Sequence, residues 1–221
     1  MPYPELDARL AAAAALFPAC DIGADIGADH GRLSCYLLAS GKVKKMIVAD
    51  ISADSLLKAK HLLSAHQLEE RAEFVVADGL NAITAPVEAI AILGMGGATA
   101  SKILLAQPEK LGTASLILSA HTDLPMLRET LEQLSYRLET ETVIRLKNRC
   151  YVMMKAVRGQ ETLTPKQRFL GPRLMESPAT EAYIRYLQKR SGAYSCMLAE
   201  EGALYRQWLK EEMNRVSSQS V

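Results

Sequence analysis

Asp25-Ile26-Gly27-Ala28-Asp29-His30-Gly31 is the stretch on which the fold turns. Ile22 and Ala24 before it supply a short apolar strand, and the run then passes through two glycines into the pattern Arg32-Leu33-Ser34-Cys35, which begins a helix. Three further stretches have the same grammar: Val48-Ala49-Asp50, Val76-Ala77-Asp78-Gly79 and Leu93-Gly94-Met95-Gly96-Gly97. Each is an apolar strand that ends in a small or acidic residue. Asp25, Asp50 and Asp78 fall 25 and 28 residues apart, about one strand–helix–strand unit each time. Open parallel sheets bind ligands outside the carboxyl ends of their strands. Acids recurring at those ends point to a ligand rich in hydroxyls and amino groups, a nucleoside cofactor.

Helical and strand periodicities extend this frame in both directions. Residues 5–17 read as a first helix that Pro18 stops. Strands follow at 21–26, 44–50, 73–78, 87–93 and 115–120, with helices at 31–40, 52–66, 98–106 and 124–134 between them. Residues 136–146 and 150–157 then read as two consecutive strands around the basic turn Lys147-Asn148-Arg149, an antiparallel hairpin closing the sheet. The total is seven strands, whereas a plain dinucleotide fold has six. The first domain is expected over residues 1–158. A helical, coiled-coil-like tail over 159–221 is expected to form a two-helix hairpin or a bent long helix, with Thr164-Pro165 and Ser177-Pro178 as cap-and-proline helix starts and glycine interruptions at Gly192 and Gly202.

Composition narrows the classes. The 221 residues carry a net charge of +1, with 49% hydrophobic and 23% charged residues, so the chain is globular and not generally basic. Contact with nucleic acid would have to be local. Cys20, Cys35, Cys150 and Cys196 form no CxxC pair and read as buried thiols. His30, His61, His66 and His121 lack metal-ligand spacing, and no metal is expected. Glu5 and Asp7 precede the first basic residue and no apolar run approaches 20 residues, so a cytoplasmic protein is expected.

The glycine loop decides the cofactor. The DxGxDxG pattern fits two registers, from Asp21 or from Asp25; the second leaves a strand in front and sets Gly31 at the helix start. A dinucleotide motif would place glycine where Asp29 stands. A carboxylate repels a pyrophosphate there but attracts a sulfonium or an amino group, which favours S-adenosylmethionine. On this reading Asp25, Gly27, Asp29 and Gly31 surround the methionine part and Asp50 takes the ribose. Asp78, with Gly79 and Leu80 beside it, takes the adenine. The Gly94–Gly97 turn has no Asn/Asp-Pro-Pro-aromatic group of the kind that holds exocyclic amines, so Met95 and Gly96 read as a platform for a flat base attacked at a ring nitrogen.

These residues resemble the bacterial tRNA (adenine-22-N1)-methyltransferases. The likeness rests on Arg9-Leu10, on Ala24 through His30, on Ala49-Asp50-Ile51, on Asp78-Gly79-Leu80 and on Gly94 through Gly97. It continues through Leu127-Arg128 with Leu131 and Gly171-Pro172-Arg173-Leu174, covering most of the chain in order. The resemblance implies a class I Rossmann-like methyltransferase sheet with a small helical-hairpin domain. It also implies transfer of a methyl group from S-adenosylmethionine to N1 of an adenine in the D-arm of tRNA. Ile51 and Gly94 join the expected cofactor residues, and Asp29, His30, Met95 and Gly96 the catalytic ones. Arg9, Arg32, His121 and Arg128 are the expected substrate contacts, with tail residues Arg185, Lys189, Arg190, Arg206 and Lys210 available for RNA. A monomer is expected. The chain departs from the family at Gly31-Arg32, where a His-Ala-Tyr run is usual, and at Ser119-Ala120-His121, where Gln-Pro-Asn is usual. Other readings are a class I enzyme for another RNA or a small molecule, and a non-catalytic RNA- or protein-binding relative.

Overall fold

The computed structural model describes residues 4–176, 180–189 and 199–218. The expected cap at Ser177-Pro178 and the assignments to Arg190, Gly192 and Cys196 lie outside them.

The chain begins with α1 (Ala8–Leu16), capped by Asp7, whose carboxylate accepts from the Arg9 and Leu10 backbone N–H groups. Four parallel crossovers follow. β1 (Cys20–Ile26) leads to α2 (Arg32–Ala39), and β2 (Val43–Asp50) to α3 (Ala53–Ala65). After β3 (Ala72–Val76) come β4 (Ala89–Ile92), α4 (Gly97–Ala106), β5 (Ser115–Ala120) and α5 (Leu124–Gln133). β6 (Tyr136–Leu146) and β7 (Arg149–Arg158) form the antiparallel hairpin. The sheet runs β3-β2-β1-β4-β5-β7-β6, with β7 antiparallel to β5.

The hairpin is inverted relative to chain order, its second strand lying inside and its first on the edge. The side chains account for this. β7 carries Val152, Met153, Met154 and Ala156, all buried, whereas β6 carries Arg137, Glu139 and Arg145, which suit a solvated edge. Order reverses between β1 and β4, both of which pair in parallel with their neighbours. That switch point opens a crevice at the strand ends. Two apolar clusters fill the two faces of the sheet, one under α1, α2 and α3 and one under α4 and α5. Burial pushes the thiols of Cys20 and Cys35 up to about 11, leaving them protonated at neutral pH.

Beyond Arg158 the chain forms α6 (Pro165–Leu170), opened by a capping box between Thr164 and Gln167. α7 (Thr180–Lys189) and α8 (Ala199–Ser218) follow. Tyr183, Ile184, Leu187 and Leu209 belong to the same apolar cluster as the α4–α5 face of the sheet. Phe169 stacks on Tyr205 with ring centroids 4.0 Å apart, and Trp208 packs against both. These aromatic residues of the tail are packing groups.

Arg128 corrects one expectation. It is wholly buried in α5, pairs through Nε and Nη2 with Glu141 of β6 at 2.8 Å, and donates from Nη1 to the Arg168 and Phe169 carbonyls. The other Glu141 oxygen accepts from the Arg173 N–H. No substrate can reach this guanidinium, whose task is to tie the start of the tail to the sheet. Gly171 is required beside it: its φ is +95°, and a Cβ there would lie 2.7 Å from Arg128 Nη2 and 2.9 Å from Glu141 Oε2.

Candidate functional site

The carboxyl ends of β1, β2, β3 and β4 converge on a cavity of about 770 Å³, a size suited to a cofactor plus part of a substrate. Asp25, Gly27, Asp29, His30, Asp50, Ile51, Asp78, Gly79, Gly94, Met95, Arg9 and Arg32 all line it, as the sequence led us to expect.

Asp50 organises the loop after β1. One of its oxygens accepts from the Asp29 N–H at 3.0 Å and the other from the Ser52 N–H at 2.9 Å. The Gly27 and Ala28 N–H groups donate to the Ala49 carbonyl, so the loop folds back over the end of β2. Gly27 (φ +75°) permits the turn, and a Cβ there would overlap the Met95 methyl. Met95 therefore lies against the glycine loop, joining the first and fourth strand ends. Asp29 also takes a left-handed backbone (φ +49°), uncommon for a residue with a side chain, and its carboxylate is open to solvent. His30 Nε2 stands 3.5 Å from that carboxylate and 3.4 Å from Lys58 Nζ.

Asp25 differs from the other acids in being buried. Ser34 Oγ donates to it at 2.7 Å, yet burial, reinforced by the charge of Asp50, raises its carboxyl to about 6. A rise from 3.8 to about 6 corresponds to about 3 kcal/mol of destabilisation when the group is ionised in the folded protein. The folded form binds its proton more tightly, so the cost is absent below about pH 4 and complete above about pH 6. Asp25→Asn should therefore be the more stable protein without cofactor at pH 7, by about 2–3 kcal/mol, with the advantage disappearing towards pH 4. Paired thermal melts across that range measure it. A constant difference at every pH would show that the charge is not the cause.

Four assignments change. Leu80 is buried beneath the turn after Asp78, so it supports the site from the core; the apolar groups facing the cavity there are Ile51 and Ile103. Gly31 was expected to admit the ligand, but its φ is +66° and its Cβ position points at Ala59 Cβ, 2.7 Å away. It admits α3 instead. Gly96 faces Thr122 Oγ1, and its neighbour Gly97 the Asp123 carbonyl, so this pair seats α4 against the loop after β5 and does not form the cavity wall. His121 likewise lies outside the lining, against Tyr151.

Asp7, Thr99 and Met153 line the cavity without a mark in the sequence, and Leu10 and Ser119, marked there only by the family likeness and a departure from it, line it too. Their signals are weak in sequence, because a cap, a helix face and a strand alternation become site residues only once the elements are placed together. Among the described residues no group of His, Cys, Asp and Glu could hold a metal, and no helix is long and apolar enough to cross a membrane.

The cavity fits a sulfonium nucleoside. Ile51, 73% exposed at the cavity edge beside Asp50, offers an apolar surface for a purine. The exposed carboxylate of Asp29 stands where a pyrophosphate would be repelled. Fold and site together are those of a methyltransferase, and residues 6–154 match the family described as "Methyltransferase domain", to which the chain belongs. Among its relatives, the tRNA (adenine(22)-N(1))-methyltransferase of Bacillus subtilis is 33% identical over 157 residues, 70% of this chain and 66% of that protein, just under two thirds of its length. The crystal structure of the B. subtilis m1A22 tRNA methyltransferase TrmK superposes with a TM-score of 0.82 at 25% identity, over 95% of this chain and 99% of that one. A Streptococcus pneumoniae relative in complex with S-adenosyl-L-methionine gives 0.81 at 26% identity, over 97% and 99%. The seven-stranded Rossmann-like sheet with its additional C-terminal helices is shared along nearly the whole chain.

Proposed function

We propose that this protein transfers a methyl group from S-adenosylmethionine to N1 of adenine 22 in the D-arm of tRNA. The observation that carries the reading is the exposed, left-handed Asp29 in the glycine loop, anchored by its own N–H to Asp50. The relatives' substrate and their near-complete structural overlap support it. When bound, S-adenosylmethionine supplies an electrophilic methyl on a sulfonium. Asp50 holds the ribose hydroxyls, and Asp78 with Ile51 and Ile103 holds the adenine. Asp25 and Asp29 hold the positively charged methionine end.

Adenine N1 carries a lone pair at neutral pH, so alignment matters more than a strong base. Met95 and the Gly94 backbone confine the space next to the glycine loop, where the acceptor ring must lie. Asp29 stabilises the positive charge that the ring gains, or takes the N6 proton, with His30 beside its carboxylate. Phosphate contacts fall to Arg32 at the mouth and to Lys147 and Arg149 at the hairpin tip. In the tail they fall to Arg206 and Lys210, which have no ion pair among the described residues, whereas Arg185 pairs with Glu181. The segment from residue 159 onward serves as the tRNA-binding element, and the enzyme works as a cytoplasmic monomer.

Incubation with labelled S-adenosylmethionine should methylate unmodified tRNA, and a transcript with guanine in place of adenine 22 should remain unlabelled. Equal labelling of both transcripts, or labelling of small molecules alone, would refute the assignment.

A further inference from the structure

The cavity wall continues past the cofactor residues along β5 and β7. Ser119 pairs with Met153 across these strands, and both line the cavity. Tyr151, two residues before Met153, projects from the same face of β7 one step nearer the open edge. Its ring meets His121, just beyond β5, with centroids 6.0 Å apart. The Arg9 guanidinium of α1 lies over the Tyr151 ring, 5.0 Å from its centroid. Arg9 is fixed in turn, because Nη2 donates to the Asp7 cap at 2.8 Å. Its Nε is buried with no hydrogen-bond partner among the described residues.

An adenine in folded RNA must leave its stack to expose N1 to a buried methyl donor, and extruded bases are held on aromatic or guanidinium planes. No Phe, Tyr or Trp lines the cavity among the described residues. The aromatic ring that the structure ties to this lining is Tyr151, and the cation locked over that ring belongs to a residue that does line the cavity.

We infer that Tyr151, backed by Arg9 and flanked by His121, is the platform on which the target base rests during methyl transfer. The inference rests on the reading of the protein as a tRNA adenine methyltransferase. The platform needs a π-face and not a hydroxyl, so Tyr151→Phe should keep most of the activity. Tyr151→Leu, which fills similar space without a π-face, should lower kcat/KM for tRNA about 10- to 100-fold. Arg9→Lys, which keeps the charge but loses the planar group, should also lose activity.

The test measures methyl transfer to unmodified tRNA by the wild type and these variants, alongside calorimetric affinity for S-adenosylhomocysteine and the melting temperature. A selective loss in Tyr151→Leu, with cofactor affinity and melting temperature unchanged and Tyr151→Phe active, is the expected result. Full activity in Tyr151→Leu, equal losses in the Leu and Phe variants, or a loss matched by weaker cofactor binding or a lower melting temperature would each overturn the platform. If the wild type methylates tRNA and Tyr151→Leu matches it, only the platform fails. If the wild type itself methylates no tRNA adenine, the proposed function fails and the platform with it.

Discussion

Asp50→Ala should bind S-adenosylmethionine about 10²- to 10⁴-fold more weakly than the wild type, equivalent to losing two charge-assisted hydrogen bonds of about 1.5–3 kcal/mol each. The effect is large because Asp50 has two roles. It is the acid at the end of β2 placed for the ribose, and it accepts from the N–H groups of Asp29 and Ser52. Removing it leaves both donors to water and releases the left-handed Asp29 from its anchor. Asp50→Asn keeps one acceptor for this scaffold and should fall between the two. Titration calorimetry with S-adenosylhomocysteine reads the series directly, and wild-type affinity in Asp50→Ala would remove the acid from the cofactor site.

Arg128→Ala should lower stability by about 3–5 kcal/mol, because it strands Glu141 as an uncompensated buried charge. For a chain of this size that is a drop in melting temperature of roughly 6–20 °C. Arg128→Met with Glu141→Leu removes both charges and should recover much of the loss. A substrate role for Arg128 would give the opposite pattern, with normal melting and weaker tRNA binding. The pair also bears on truncation. The Arg168 and Phe169 carbonyls and the Arg173 N–H satisfy it, so a cut at residue 159 leaves polar groups of the sheet without their partners.

The parts of the fold legible in sequence were those with local causes. Ser115–Ala120 and Tyr136–Leu146 form strands over the expected residues, since a short apolar run marks the first and a loose alternation the second. The acids at strand ends could be read because each follows an apolar run, and the crossover spacing makes such ends meet. The order β5-β7-β6 was not legible, because a hairpin can dock by either strand and only the distribution of charge on β6 chooses. Gly31, Gly96 and Arg128 were misassigned for a related reason. Each has the right residue type close to the motif, but the partners that define its role, Ala59, Thr122 and Glu141, come from other elements. Tyr151 was missed entirely, since nothing in a strand of apolar residues marks one tyrosine as facing an arginine 142 positions earlier.

Methylation at N1 occupies the Watson–Crick edge of adenine, so it both blocks reverse transcription and yields a distinct nucleoside on digestion. Primer extension on unmodified tRNA after incubation with the protein and S-adenosylmethionine, paired with mass analysis of the released nucleosides, therefore examines cofactor, base and position in one measurement. The account predicts a new stop at position 22 and the appearance of 1-methyladenosine, both lost in Asp50→Ala. Methyl groups recovered as N6-methyladenosine, a stop at another position, or no transfer to tRNA would contradict it.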